Sequence, residues 1–79
     1  MWYVYILKSI KDNKNYIGST NDLKRRMAEH NNGKVFATKS RLPLKLQAYT
    51  AVCCEEKARK LEKYFKSGSG HAFLNKRIL

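Results

Sequence analysis

Residues 2–9 (WYVYILKS) are aromatic and β-branched with apolar positions on both faces, the pattern of a central strand covered from two sides. Lys11 to Asn15 is turn chemistry, and 15–19 (NYIGS) reads as a second short strand. Together they predict an antiparallel hairpin with a loop somewhat longer than the two-residue type. A helix follows over 21–32: Thr20 or Asn21 caps it, Asp22 suits its first turn, Leu23 and Met27 form its buried stripe, and Asn31-Asn32-Gly33 ends it. Residues 34–43 read as a basic, irregular connection. Leu44, Leu46, Ala48, Thr50 and Val52 then alternate with Lys45, Gln47 and Tyr49, which predicts a third strand with one face on the core and one wet. A helix over 55–67 carries Ala58, Leu61 and Phe65 as its apolar stripe, with Glu55 and Glu56 at its start and Lys66 near its end. Ser67-Gly68-Ser69-Gly70 is expected to break it before a short last helix over 71–78 bearing Phe73, Leu74 and Ile78. The order β-β-α-β-α-α predicts an α+β fold, a three-stranded antiparallel sheet with helices packed on it.

Seventy-nine residues allow a single domain, 1–79, whose apolar core is only just sufficient. Seventeen Lys and Arg against six Asp and Glu give a net charge of +11, which points to a polyanionic partner, nucleic acid before a membrane surface. A membrane-surface helix needs exposed bulky apolar residues, and the predicted helices need theirs for the core. No apolar run approaches the roughly 18 residues of a membrane span. Cys53 and Cys54 are adjacent, too close for an unstrained bridge and without the further ligands of a zinc site, so reduced thiols in a cytoplasmic protein are expected.

The acids narrow the chemistry. Asp12, Asp22, Glu29, Glu55, Glu56 and Glu62 are scattered or sit at helix starts, whereas a two-metal nuclease needs several carboxylates converging on paired ions. Phosphodiester cleavage by this chain would therefore use one metal, one carboxylate, and cations or phenols for the rest. Arg26 and His30, four residues apart, share a helix face about 60° from the Leu23–Met27 stripe, at the edge of the buried side. Arg25 points away from that side, toward solvent. Glu62 borders the Ala58–Phe65 stripe in the same way, although Lys66 one turn on also makes it an ordinary surface ion pair.

Tyr3-Val4-Tyr5 on the first strand, Tyr16-Ile17-Gly18 on the second, and the run from Ser19 through Arg26 to His30 resemble the GIY-YIG nuclease family, in particular its small stand-alone members. The resemblance covers nearly the whole chain, because Glu62 lies on a late helix where that family keeps its metal-binding Glu. It implies catalytic roles for Tyr5, Tyr16, Arg26 and His30, a single Mg²⁺ or Mn²⁺ on Glu62, and a close approach permitted by Gly18. Asn75 is a candidate counterpart of a late Asn near the site. One departure is plain: Tyr3 stands where the first motif has Gly, and altered packing is expected there.

The resemblance implies a metal-dependent endonuclease acting on DNA, with RNA not excluded. Phosphodiester hydrolysis by this residue set needs Arg26 on a non-bridging oxygen and a tyrosine to take the proton of water. A phenol of pKa about 10 is only roughly 0.1% ionised at neutral pH, so neighbouring cations are expected to lower it and to give an alkaline optimum. Tyr5 and Tyr16 remain equal candidates for that base. Lys24, Arg25, Lys34, Lys39 and Arg41 flank the expected cleft as phosphate contacts that position without reading sequence. Specificity is expected to be low, or supplied by substrate structure or a protein partner, with the chain a monomer or weak homodimer. The alternative is a non-catalytic nucleic-acid-binding module that keeps the fold for its basic surface.

Overall fold

A computed structural model describes residues 1–79 as three strands and three α-helices in the expected order. Strands β1 (Trp2–Ser9), β2 (Asn15–Thr20) and β3 (Leu44–Val52) form an antiparallel sheet in the spatial order β2-β1-β3. Helix α1 (Leu23–Asn31) lies on one face, while α2 (Glu55–Phe65) and α3 (Gly68–Arg77) cover the other. The central position of β1 explains its composition. Val4 and Ile6 pack with Ile17, Ala58, Phe65 and Leu74 on the α2–α3 side. Tyr5 and Leu7 pack with Leu44, and with Leu23 and Met27, on the α1 side. Fully burying an aliphatic or aromatic side chain of this size contributes about 1.5–3 kcal/mol, so each face carries its own share of the stability. No helix is long and apolar enough to cross a membrane.

Three local details differ from the sequence reading. The cap of α1 is Asp22, whose carboxylate accepts from the Arg25 backbone N–H at 3.0 Å. Asp22 therefore precedes the first turn and does not enter it, because its own backbone is extended. In β3 the strict alternation breaks at a bulge. Leu7 pairs with Leu46 while its neighbour Ile6 pairs with Ala48, leaving Gln47 as the extra residue. Leu44 and Leu46 thus face α1, whereas Ala48 and Val52 face α2 and α3.

The third difference lies at Ser67-Gly68-Ser69-Gly70, which starts a helix instead of separating two. Ser67 caps α3 by accepting from the Gly70 N–H at 3.1 Å, and Gly68 to Gly70 are already helical. Gly70 is buried with its Cα against the carbonyl of Tyr64, where a Cβ would collide with backbone. The glycine serves a close helix–helix approach that propensity alone reads as a break. Of the apolar residues expected on this helix, Leu74 is buried, while Phe73 and Ile78 are largely exposed. Cys53 and Cys54 are free thiols in the turn before α2.

Candidate active site

The hairpin register places Tyr5 opposite Gly18 and Leu7 opposite Tyr16, so both tyrosines project to the α1 face. Tyr5 runs across Gly18 toward the outer edge of β2. A Cβ at Gly18 would sit 2.5 Å from the Tyr5 hydroxyl oxygen and 2.7 Å from Cζ. At that edge α1 delivers its side chains from above. The Tyr5 hydroxyl is 2.9 Å from His30 Nε2, and Arg26 Nε donates to the same oxygen at 3.4 Å. The Tyr16 ring stands edge-on to His30 with centroids 5.3 Å apart. Glu29 holds the other side of the Arg26 guanidinium at 3.1 Å.

His30 is fully buried, deeper than the face-edge position its helical angle predicts. The reason is the 34–43 connection, which folds Val35 and Thr38 inward and closes over the ring. His30 Nδ1 lies 2.7 Å from Thr38 Oγ1, and Thr38 is itself fully buried. With Arg26 donating to the Tyr5 oxygen, one assignment that pairs both ring nitrogens has the phenol donating to His30 Nε2 and the imidazole proton on Nδ1, donating to Thr38. Burial first, and the Arg26 charge second, hold His30 below its usual pKa against the pull of Glu29. Burial also pushes the Tyr5 phenol above its ordinary range, with the Arg26 hydrogen bond and charge opposing it only in part. This corrects the expectation that cations would lower a tyrosine here: for Tyr5, desolvation of the phenolate outweighs one guanidinium.

Glu62 approaches from the opposite face of the sheet. Ser19, one residue past Gly18, points to the α2 side and donates to Glu62 Oε1 at 2.6 Å. Lys66 Nζ takes Oε2 at 2.7 Å, and Arg59 stands 4.0 Å away. Burial disfavours the carboxylate, but the hydrogen bonds from Lys66 and Ser19 overcome it and hold Glu62 below the ordinary range. The tyrosines and Arg26 on one side and Glu62 on the other therefore meet only around β2, whose outer edge pairs with no strand. The donor set suits a hydrated hard cation more than a caged one. No group of three or more His, Cys, Asp or Glu is assembled, and Glu62 is an ionised carboxylate beside an open concavity of about 270 Å³. Its present partner at Oε2 is a cation, Lys66.

Among the expected phosphate contacts, Lys24, Arg25, Lys34 and Lys39 are exposed, Lys39 lying over the Phe36 ring. Arg41 is differently employed: it pairs with Asp12 at 3.4 Å and reaches the Asn15 carbonyl, tying the 39–41 turn to the hairpin. Asn75 is exposed on α3, and no hydrogen bond joins it to the site. Tyr3 packs edge-on against Tyr49 at 6.1 Å, on the side of β1 away from β2's Tyr16. Sequence reasoning missed Thr38, Ser19, Glu29 and Arg59. Arg59 and Glu29 left a readable signal, each lying three residues along its helix from a candidate residue, Glu62 and Arg26 respectively.

The family described as the GIY-YIG catalytic domain matches residues 1–76. Among curated proteins, a UPF0213 protein of Streptococcus pneumoniae strain R6 is 42% identical over 65 residues, which is 81% of this chain and 65% of that protein. A UPF0213 protein of Bacillus licheniformis is 38% identical over 65 residues, 81% of this chain and 66% of its own length. One from Streptococcus pyogenes serotype M3 is 42% identical over 65 residues, 81% of this chain and 70% of its own. The matched region thus spans about two thirds of these relatives' length. No solved structure matches the chain.

Proposed function

The chain belongs to the GIY-YIG family, and we propose that it is a metal-dependent endonuclease hydrolysing phosphodiester bonds in DNA. The observation that supports this most directly is the Tyr5–His30–Arg26 hydrogen-bonded group at the β2 edge, with Glu62 anchored beside it on Ser19. Glu62 would hold a divalent cation, which would supply a Lewis acid for the phosphate oxygens. Arg26, fixed by Glu29 and Tyr5, presents its remaining N–H groups to a non-bridging oxygen, where negative charge grows in the transition state. The attacking water gives its proton to the Tyr5 oxygen as the Tyr5 proton passes to His30 Nε2. The hydroxide so formed bonds to phosphorus as the bond to the 3′-oxygen breaks, and that oxygen leaves and takes its proton from solvent. Thr38 accepts from Nδ1–H throughout and keeps Nε2 free as the acceptor.

This relay assigns the base to Tyr5 acting with His30, and Tyr16 to packing against the imidazole. A phenolate is never populated, so no cation has to lower the phenol. Specificity is low, or comes from substrate structure or a protein partner. The test incubates the protein with supercoiled plasmid and with branched, single-stranded and RNA oligonucleotides in Mg²⁺ or Mn²⁺. Cutting that Glu62→Ala and Arg26→Ala abolish is expected; equal cutting by Glu62→Ala overturns the reading. A non-catalytic nucleic-acid-binding module is the second reading, favoured by the hydrogen bonds that Ser19 and Lys66 already make to the two Glu62 oxygens. It predicts binding in EDTA that Glu62→Ala leaves unchanged, and no cleavage under any condition.

A further inference from the structure

Beside the Tyr5–Arg26 group a second concavity of about 260 Å³ opens at the same edge of the sheet. Arg25 and Arg26 reach it from α1, Arg59 from α2, and Trp2 and residues 19–21 complete it. Three guanidinium-bearing residues converge there, and no Asp or Glu lines it. Arg59 is held over the Trp2 indole at 5.7 Å, which orients the guanidinium from the opposite layer of the fold. Its acidic partners, Glu55 at 3.2 Å and Glu62 at 4.0 Å, are ion pairs of an exposed side chain, which exchange for a phosphate at little cost. Arg26 belongs to both places, so whatever fills this concavity adjoins the atoms that Tyr5 and Arg26 address.

We propose that this concavity is a second phosphate subsite, taking the backbone phosphate next to the scissile one, with Arg59 as its positioning residue. The ligand is a nucleic-acid strand, so the proposal rests on the nuclease reading for its substrate class. Planar forks from both layers clamp a tetrahedral anion bidentately, which point-charge lysines do not do. Arg59 fixes the strand's register against Arg26 and Glu62 and takes no part in the bond-breaking step.

The single tryptophan of the chain is a built-in reporter for this place. Trp2 emission is followed while a short oligothymidylate is titrated into the 79-residue protein in EDTA, with anisotropy of a labelled strand measured in parallel. Lys60→Gln is the control, because Lys60 lies next to Arg59 on α2, pairs with Glu56 and does not line the concavity. A Trp2 signal saturating with the anisotropy is expected. Arg59→Gln should weaken binding at least about threefold beyond Lys60→Gln and reduce the log–log salt slope by about 0.7. Arg59→Lys should restore part of the affinity, and in cleavage the loss should fall on KM more than on kcat. A silent Trp2 at saturation, an oligonucleotide that does not bind at low salt, or equal effects of Arg59→Gln and Lys60→Gln overturns the subsite. Failure of the nuclease reading looks different: Trp2 still responds to the strand, but nothing is cut in Mg²⁺.

Discussion

The hydroxyl oxygen of Tyr5 occupies the space a side chain at Gly18 would need, 2.5 Å from where a Cβ would stand. The contact lets the Tyr5 ring cross an entire strand and bring its phenol to His30 and Arg26 at the sheet edge. Gly18 is extended backbone in a regular pair, so space and not backbone freedom requires the glycine. A Gly18→Ala protein must displace either the phenol or the strand. The expected cost is about 1–3 kcal/mol of stability, read by urea unfolding, together with loss of cleavage in the fraction that stays folded. Wild-type activity in Gly18→Ala would show that the Tyr5 position is immaterial.

Thr38 tests the proton arrangement. Thr38→Val keeps the shape but leaves the buried Nδ1–H of His30 without an acceptor, a cost of about 1–3 kcal/mol. It also releases the tautomer, so the proton redistributes between Nδ1 and Nε2. Nitrogen chemical shifts of His30 should move in Thr38→Val and return in Thr38→Ser, with activity following the same order. Unchanged shifts in the valine variant would dissociate Thr38 from the relay.

The pH dependence follows from the direction of two shifts. His30 is held below its usual 6.5 in the folded chain, so the unfolded chain takes up a proton first as the pH falls. Stability from neutral His30 is therefore present above about pH 6.5 and declines below it, toward the lower folded value. The relay needs the same neutral ring, so kcat/KM acquires an acid limb below that pH. Tyr5 is raised above 10.0, which places its loss of stability on the alkaline side, beyond that value. A plateau from neutral into alkaline pH is expected, in contrast to the steady rise a phenolate base produces. Proton-coupled growth of kcat through pH 7–9 would argue for an ionising tyrosine instead.

Glu62 and Lys66 compete in a way that can be measured. Lys66 sits on Oε2 at 2.7 Å and helps keep the carboxylate ionised. Lys66→Met removes that cation, so the Glu62 pKa should rise toward its ordinary value while Mn²⁺ affinity increases. Mn²⁺ titration monitored by water-proton relaxation reads the second effect, and Glu62→Gln should abolish it. Weaker Mn²⁺ binding in Lys66→Met would mean that Lys66 supports the ion and does not exclude it.

The periodicity of the chain was enough to place the strands, the helices and the two core stripes, because alternation and 3.6-residue spacing are local consequences of which side faces water. The same spacing put Arg26 and Glu62 at core edges. It did not reach the bulge at Gln47 or the helical start at Gly68, where a register shift and a tight contact with the Tyr64 carbonyl override local propensity. The depth of His30 was illegible for a similar reason: Val35 and Thr38 come from a stretch with no period at all.

By itself, then, the sequence determined an α+β layering, a polyanion-seeking charge and a small set of chemistry-bearing side chains. Only the tertiary structure decided how those side chains meet. Tyr5, Arg26 and His30 lie on one face of the sheet and Ser19 with Glu62 on the other, and the way from one group to the other runs around the unpaired edge of β2. The protonation of the site was decided there too. Burial raises Tyr5 and lowers His30, and burial belongs to the packed whole and not to any residue's neighbours in the chain.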